Sequence, residues 1–271
     1  MSDPFSDIVN AEPEFVELWS EMLDVRASHP QQVEMRDRYF AEINFGQGRV
    51  LEVGCGTGAI AEALAARPDS TEVIGIDPSP EFIGIARSRP TEAEFQLGDA
   101  LALDFDADSF DVVVFHTVLV HLPQPDLAIA EAVRVLRPGG TLAVFEGDGA
   151  SMTVAVGPDD PLEPLVREYI EANVHDSWFM RTCHHHLQQA GLRIVSSQLH
   201  GFTDPDYFRP IAERAIDLAV KSGNIDDAHA QELGDHVRRR CDSGEFYGHA
   251  LYASIVAEKP TVARIHRQST D

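Results

Sequence analysis

The chain has 271 residues, 44% of them apolar, which suits one packed domain, or a domain with a sizeable insertion, and argues against disorder. Its formal net charge of −24 argues against nucleic-acid binding and against adsorption to an anionic membrane, and reads instead as a solubilising surface. Three cysteines, Cys55, Cys183 and Cys241, are too few and too far apart for a disulfide framework or a cysteine zinc site.

The first residues, MSDPFSDIVNAEPEF, are acidic and lack an apolar core, and no apolar run in the chain approaches the length of a membrane span. The expectation is a cytoplasmic protein. Residues 1–45 carry Phe15, Leu18, Trp19, Met22, Met35, Tyr39 and Phe40 at helical spacing, which predicts two helices broken near Pro30. From 49 to 146 short apolar strands (RVLEV, EVIGI, AEFQL, FDVVVF, TLAVF) alternate with helices, the pattern of βαβ units and a parallel sheet. Ser79 and Pro80 start one helix as N-cap and first residue. Pro125 and Asp126 start another, which ends among Arg134, Arg137 and Pro138-Gly139-Gly140. After 147 the alternation fails. A loop and an amphipathic helix precede CHHHLQQAG, LRIVSSQLHGF reads as a strand, 205–243 as charged helices, and EFYGHALYASIVAEK as a final strand.

Strand VLEV feeds Gly54, Gly56 and Gly58 into a turn before a helix over 59–67. Glycines there let the backbone turn tightly and let a ligand approach without a Cβ in the way. Alone, the turn also fits G-x-G-x-x-G/A and an NAD or FAD ligand. Glu52 weighs against that ligand, because a carboxylate beside the turn repels a pyrophosphate and suits a cation.

The ordered series E-x-G-x-G-x-G, GIDPS, GDA, FDVVV and LRPGG resembles the class I S-adenosylmethionine-dependent methyltransferases, in particular the small-molecule branch that includes the quinone-biosynthesis enzymes. The likeness covers residues 45–146 well and 180–258 loosely. It implies an α/β Rossmann-like three-layer sandwich with a seven-stranded, mostly parallel sheet whose last strand is antiparallel. It divides the chain into an N-terminal helical cap (1–45), the cofactor core (46–149, completed by 181–202 and 244–258), helical lid insertions over the acceptor site (150–180 and 203–243) and a tail (259–271).

Carried over position by position, the resemblance places Gly54, Cys55, Gly56 and Gly58 around the methionine part of S-adenosylmethionine, with Glu52 beside its amino group. Asp77, next to Pro78, would accept from both ribose hydroxyls, and Asp99 from the adenine amino group, with Ala100 and Leu101 along the ring. For each carboxylate a structural role competes, that of holding the turn in the case of Glu52. His116 and His121 follow the fourth strand beside the expected sulfonium position, where either could deprotonate a substrate hydroxyl. His121 could equally organise the start of the next helix. Glu146 and Asp148 are expected on a loop after the fifth strand, and Tyr39, Trp178 and Tyr207 among the segments that would cover the acceptor. Each could also be core or solvated surface. Consecutive His184, His185 and His186 cannot converge on one ion from a regular helix, so no metal is expected.

The expected activity is methyl transfer to a small acceptor with aromatic or apolar character, giving S-adenosylhomocysteine. An acceptor that is a phenol, enol or carboxylate would need little base catalysis. Competing readings are a cyclase or isomerase that uses the cofactor without methyl transfer, and a non-catalytic cofactor-binding module.

Overall fold

The computed structural model describes residues 5, 8 and 13–261. Two N-terminal helices, α1 (Pro13–Ser28) and α2 (Pro30–Phe40), precede an alternating core of β1 (Gly48–Val53), α3 (Ala59–Ala65), β2 (Ser70–Asp77), α4 (Pro80–Ala86), β3 (Glu94–Leu97), β4 (Phe110–His116), α5 (Pro125–Val135) and β5 (Leu136–Thr153). There follow α6 (Glu163–Asn173), α7 (Phe179–Gln189), β6 (Arg193–Phe202), α8 (Pro205–Lys221), α9 (Asp227–Ser243) and β7 (His249–Glu258).

The strands form one seven-stranded sheet in the order β3-β2-β1-β4-β5-β7-β6, with β7 antiparallel to both neighbours. Parallel strands are covered on both faces and so need apolar side chains in both directions. Strand β4 meets this need by alternation, with Val112 and Val114 in one buried cluster and Val113 and Phe115 in the other. Helices α2, α3, α6, α8 and α9 pack on the first face, α5 and α7 on the second. Strand order reverses between β1 and β4, and ligands of open α/β sheets bind at the carboxyl ends of strands at such a reversal.

Two boundaries differ from the sequence expectation. The segment LRPGG is extended rather than a helix end, because Leu136 pairs with Phe110 and the Gly139 N–H donates to the Lys259 carbonyl. Arg137 accordingly lies beyond α5 and pairs with Asp111 instead of its dipole. Glu146 and Asp148 lie inside β5, not on a loop after it, since β7 continues the pairing with Ala253 opposite Glu146 and Leu251 opposite Asp148. Of the expected N-terminal cap and C-terminal tail, residues 1–4, 6–7, 9–12 and 262–271 lie outside the described residues. Among those described, no helix is long and apolar enough to cross a membrane.

The N-terminal helices are tied down at defined points. His29 caps α2, and its Nε2 meets Asp204, the N-cap of α8, at 3.1 Å. Ile8, Val16 and Phe82 bury a small apolar cluster between α1 and α4. Farther off, Asp160 before α6 accepts from the Val156 and Leu162 amides and from Arg240 of α9 at 2.6 Å, and both side chains are buried. Truncating one member of a buried pair strands the other charge, at about 3–5 kcal/mol. Arg240→Ala should therefore lower the unfolding free energy from urea titration by that amount, and Asp160→Asn combined with Arg240→Met should recover much of it.

Candidate functional site

Strand β1 ends at Val53, and the next residues leave the sheet at the point where strand order reverses. The Gly54 and Cys55 amides both donate to the Ile76 carbonyl, which fastens the turn to β2. Gly54 has a φ of +74°, and a Cβ on it would lie 2.6 Å from Val118. Gly58, at φ +82°, would meet Phe95 at 2.7 Å. Any side chain at either position is therefore both strained and clashing.

A cavity of about 1190 Å³, counting the open solvent at its mouth, lies against this turn. Glu52, Gly54, Cys55, Gly56, Asp77, Pro78, Asp99, Ala100, His116 and His121, which the sequence dispersed over 70 residues, all line it. Gly58 and Leu101 do not. Gly58 instead supports the packing of α3 on Phe95, and Leu101 packs with the second-face core.

The carboxylates differ in surroundings. Glu52 is 1% exposed, and its Oε2 has no hydrogen-bond partner among the described residues. Burial pushes its carboxyl well above the usual range, with Asp77 adding to the shift and the Ala61 backbone and Arg89 opposing it. Asp77 accepts from Ser79 N on one oxygen and Gly56 N on the other, both at 2.9 Å, so it braces the turn as well as facing the cavity. Its carboxyl is also raised, by burial first. Asp99 is exposed and accepts from Leu101 N at 2.8 Å.

On the β4 side, His116 Nδ1 lies 2.8 Å from the Tyr39 hydroxyl, and its ring stacks on Phe145. Burial, reinforced by Arg26 and Arg36, holds the imidazole well below its ordinary pKa, so it is neutral at pH 7. Thr117 follows in a left-handed conformation at φ +59°, uncommon for a residue with a Cβ. Its amide donates to the Phe145 carbonyl at 2.7 Å. Glu146 sits behind this corner, where Oε1 accepts from the Val118 and Leu119 amides, both at 2.7 Å. Its second oxygen is buried without a partner among the described residues, and burial raises the carboxyl to about 7.

Tyr39 and Glu146 thus stand one layer behind the cavity wall, not on it. Asp148, Trp178 and Tyr207 are not brought to the cavity. Asp148 pairs with Arg181 at 3.0 Å, Arg181 stacks on the half-exposed Trp178, and Tyr207 packs on Phe202. No residue of 150–180 or 203–243 lines the cavity; its outer wall is made by Phe5, Ile8, Trp19, Leu23, Arg26, Ala27, Gln32 and Arg36. These are functional candidates that the sequence reading missed. Their signal was the helical spacing of Trp19, Leu23 and Arg26 (i, i+4, i+7) and of Gln32 and Arg36 (i, i+4), each set on one face. Of the histidine run, His186 Nδ1 meets Asp126 at 2.6 Å, and the described residues contain no cluster able to hold a metal.

Residues 51–144 match the family model of a methyltransferase domain. A protein from transposon TN4556 of Streptomyces fradiae is 43% identical over 217 residues, covering 77% of this chain and 61% of that protein. An uncharacterised methyltransferase of Schizosaccharomyces pombe is 36% identical over 188 residues, covering 65% and 58%. The chain thus spans about three fifths of the length of these relatives. Demethylmenaquinone methyltransferase of Thermus thermophilus is 38% identical over 102 residues, 36% of this chain and 46% of that one. Among solved structures, a candidate methyltransferase of Bacillus halodurans superposes with a TM-score of 0.58 at 22% identity, covering 80% of this chain and 94% of its own. With the glycine turn, the sheet order and this match in agreement, residues 51–144 are a methyltransferase domain on a Rossmann-like sheet, and about a third of the chain is similar to a quinone-biosynthesis methyltransferase.

Proposed function

We propose that the chain is an S-adenosylmethionine-dependent methyltransferase acting on a small molecule with apolar or aromatic parts. The observation that carries this reading is Glu52, a sealed carboxylate with an unpartnered oxygen on the wall of the same cavity as the glycine turn. Burial drives this carboxyl toward its neutral form, and a cationic ligand restores the carboxylate by pairing with it, whereas a dinucleotide pyrophosphate would add repulsion. The residues present therefore fit the cofactor. Gly54, Cys55 and Gly56 leave room at the turn, Glu52 meets positive charge, and Asp77 and Asp99 retain acceptor capacity for hydroxyl and amino donors. When bound, the cofactor supplies an electrophilic methyl group.

The chain's own residues then have defined tasks. Phe5, Ile8, Trp19 and Leu23 make an apolar outer wall that restricts water and suits an apolar or aromatic acceptor. On these grounds we assign the capping role to the N-terminal helices, and a supporting role to the segments 150–180 and 203–243. Tyr39 is held as a neutral phenol by burial, and its hydroxyl has no acceptor other than His116 Nδ1 among the described residues. By that hydrogen bond the His116 proton is assigned to Nε2, which makes the ring a donor to an acceptor oxygen. Proton removal in the site is then a minor requirement, consistent with an acceptor atom that is already anionic or readily ionised.

Isothermal titration should show S-adenosylhomocysteine binding to the wild type. Charged hydrogen bonds contribute about 1.5–3 kcal/mol, so Asp77→Asn should weaken binding by roughly 10- to 150-fold. Glu52→Gln should weaken it as well, and failure of the wild type to bind would sink the assignment. With an acceptor, S-adenosylhomocysteine should accumulate one for one with product. Product formed without it would move the chain to the cyclase or isomerase reading.

Glu146 makes a separate pH prediction. In the folded protein it keeps its proton up to about pH 7, whereas the unfolded chain releases it near its ordinary value of 4.5. The folded state binds more protons over that interval, so stability falls as pH rises through it. Glu146→Gln keeps an acceptor for Val118 and Leu119 but cannot ionise. Its melting temperature, followed by calorimetry from pH 5 to 8, should fall less steeply than that of the wild type.

A further inference from the structure

The two edges of the sheet are protected unequally. Strand β3, at one edge, is four residues long and begins with the exposed Glu94. Short length and charge keep an open edge from pairing with another chain. Strand β6, at the other edge, runs for ten residues, Arg193–Phe202, with no lysine, proline, aspartate or glutamate. Among the described residues no strand pairs with its outer side. Its side chains alternate, so that Val195 and Leu199 stand 51% and 68% exposed while His200 and Phe202 are buried. The register shift beside Val195 disturbs only the start of the strand, and Ser196–Phe202 pair with β7 without interruption.

Charge decides what this edge can meet. None of the chain's 45 acidic residues falls between Ser177 and Thr203, the longest such interval in the sequence, and α7 and β6 both lie in it. In a chain of net charge −24, two copies repel wherever their carboxylates face each other, and this stretch supplies none. Arg181 and Arg193 are already paired, with Asp148 and Glu258, so an acidic partner gains little along the strand. A basic partner would find no carboxylate in the interval. A second copy fits instead. The strand begins at Arg193, whose side chain is 61% exposed, and the exposed Asp206 lies just past its end. Antiparallel pairing about a two-fold axis near Ser197 brings these unlike ends together, and sets Val195 of each copy opposite Leu199 of the other.

We propose that β6 pairs antiparallel with β6 of a second copy, joining two seven-stranded sheets into one across a homodimer. The inference is independent of the methyltransferase reading, because β5 and β7 separate this edge from β4, the nearest strand that lines the cavity.

Sedimentation of the full chain at about 100 µM should give a species of twice the 29.8 kDa chain mass. Leu199→Lys sets a charge opposite Val195 and should weaken the dimer about tenfold or more. Leu97→Lys, on the opposite edge and equally exposed to solvent, should leave it intact. Directly opposed residues of an antiparallel pair have Cα atoms about 4.5–5.5 Å apart, within the span of a disulfide. Ser197→Cys should therefore yield a covalent dimer on mild oxidation, and Leu97→Cys should not. The proposal is overturned if the wild type sediments as a monomer at that concentration, which would leave the edge to another partner or to none. It is equally overturned if Leu199→Lys stays dimeric, or if Ser197→Cys forms no covalent dimer.

Discussion

The arrangement of this site follows from one constraint, the burial of Glu52 and Asp77 near the carboxyl ends of β1 and β2 and of Glu146 within β5, level with the end of β4. Carboxylates in such places must find partners or keep their protons. Asp77 uses two backbone amides from the glycine turn and the start of α4, and by doing so sets the distance between β1 and β2 at their ends. Glu146 uses two amides from the corner after β4, and so fixes the other side of the cavity. Glu52 bonds the Ala61 backbone but keeps one oxygen unpartnered. That asymmetry separates the carboxylates that build the cavity from the one that waits for a ligand.

The cap depends on the same turn. Asp24 of α1 accepts from Thr57 Oγ1 at 2.8 Å and from Arg89, which also meets Glu62 of α3 at 2.9 Å and the Thr57 carbonyl. The helix carrying Trp19, Leu23 and Arg26 is thereby anchored to the loop it covers. Cap and turn are parts of one hydrogen-bonded unit, and a change in the turn's geometry is felt by the outer wall.

Much of this was legible in the sequence, for a physical reason. Strand and helix alternation from 49 to 146 follows from burial on both faces of a parallel sheet, and Gly54, Asp77 and Asp99 belong to short ordered motifs whose spacing tracks that alternation. Arg26 and Arg36 were not legible, because a charged residue on an amphipathic helix reads as solvated until the helix's partner surface is known. Trp178 and Asp148 erred in the opposite sense. An aromatic and a carboxylate in irregular stretches drew attention, yet Arg181 takes up both, and β7 extends far enough to make Asp148 a strand residue. Pairing length is a tertiary property, set by a strand about 100 residues away, and no local pattern reports it.

The left-handed Thr117 stands between the cap and the buried carboxylates. Its conformation costs on the order of 1–3 kcal/mol and persists only where its surroundings over-determine it. Three contacts do so here: its amide on Phe145, the Glu146 carboxylate under the next two amides, and Arg26 on its hydroxyl. Glu146 lies behind the corner and Arg26 lies in front of it, on the cavity. A ligand anion that draws Arg26 forward would compete with Thr117 for the guanidinium, while ionisation of Glu146 would strengthen its hold on the amides from behind. The corner is therefore where the Arg26 side of the cavity and the buried carboxylate act on the same few backbone atoms, and His116 immediately before it shares their geometry.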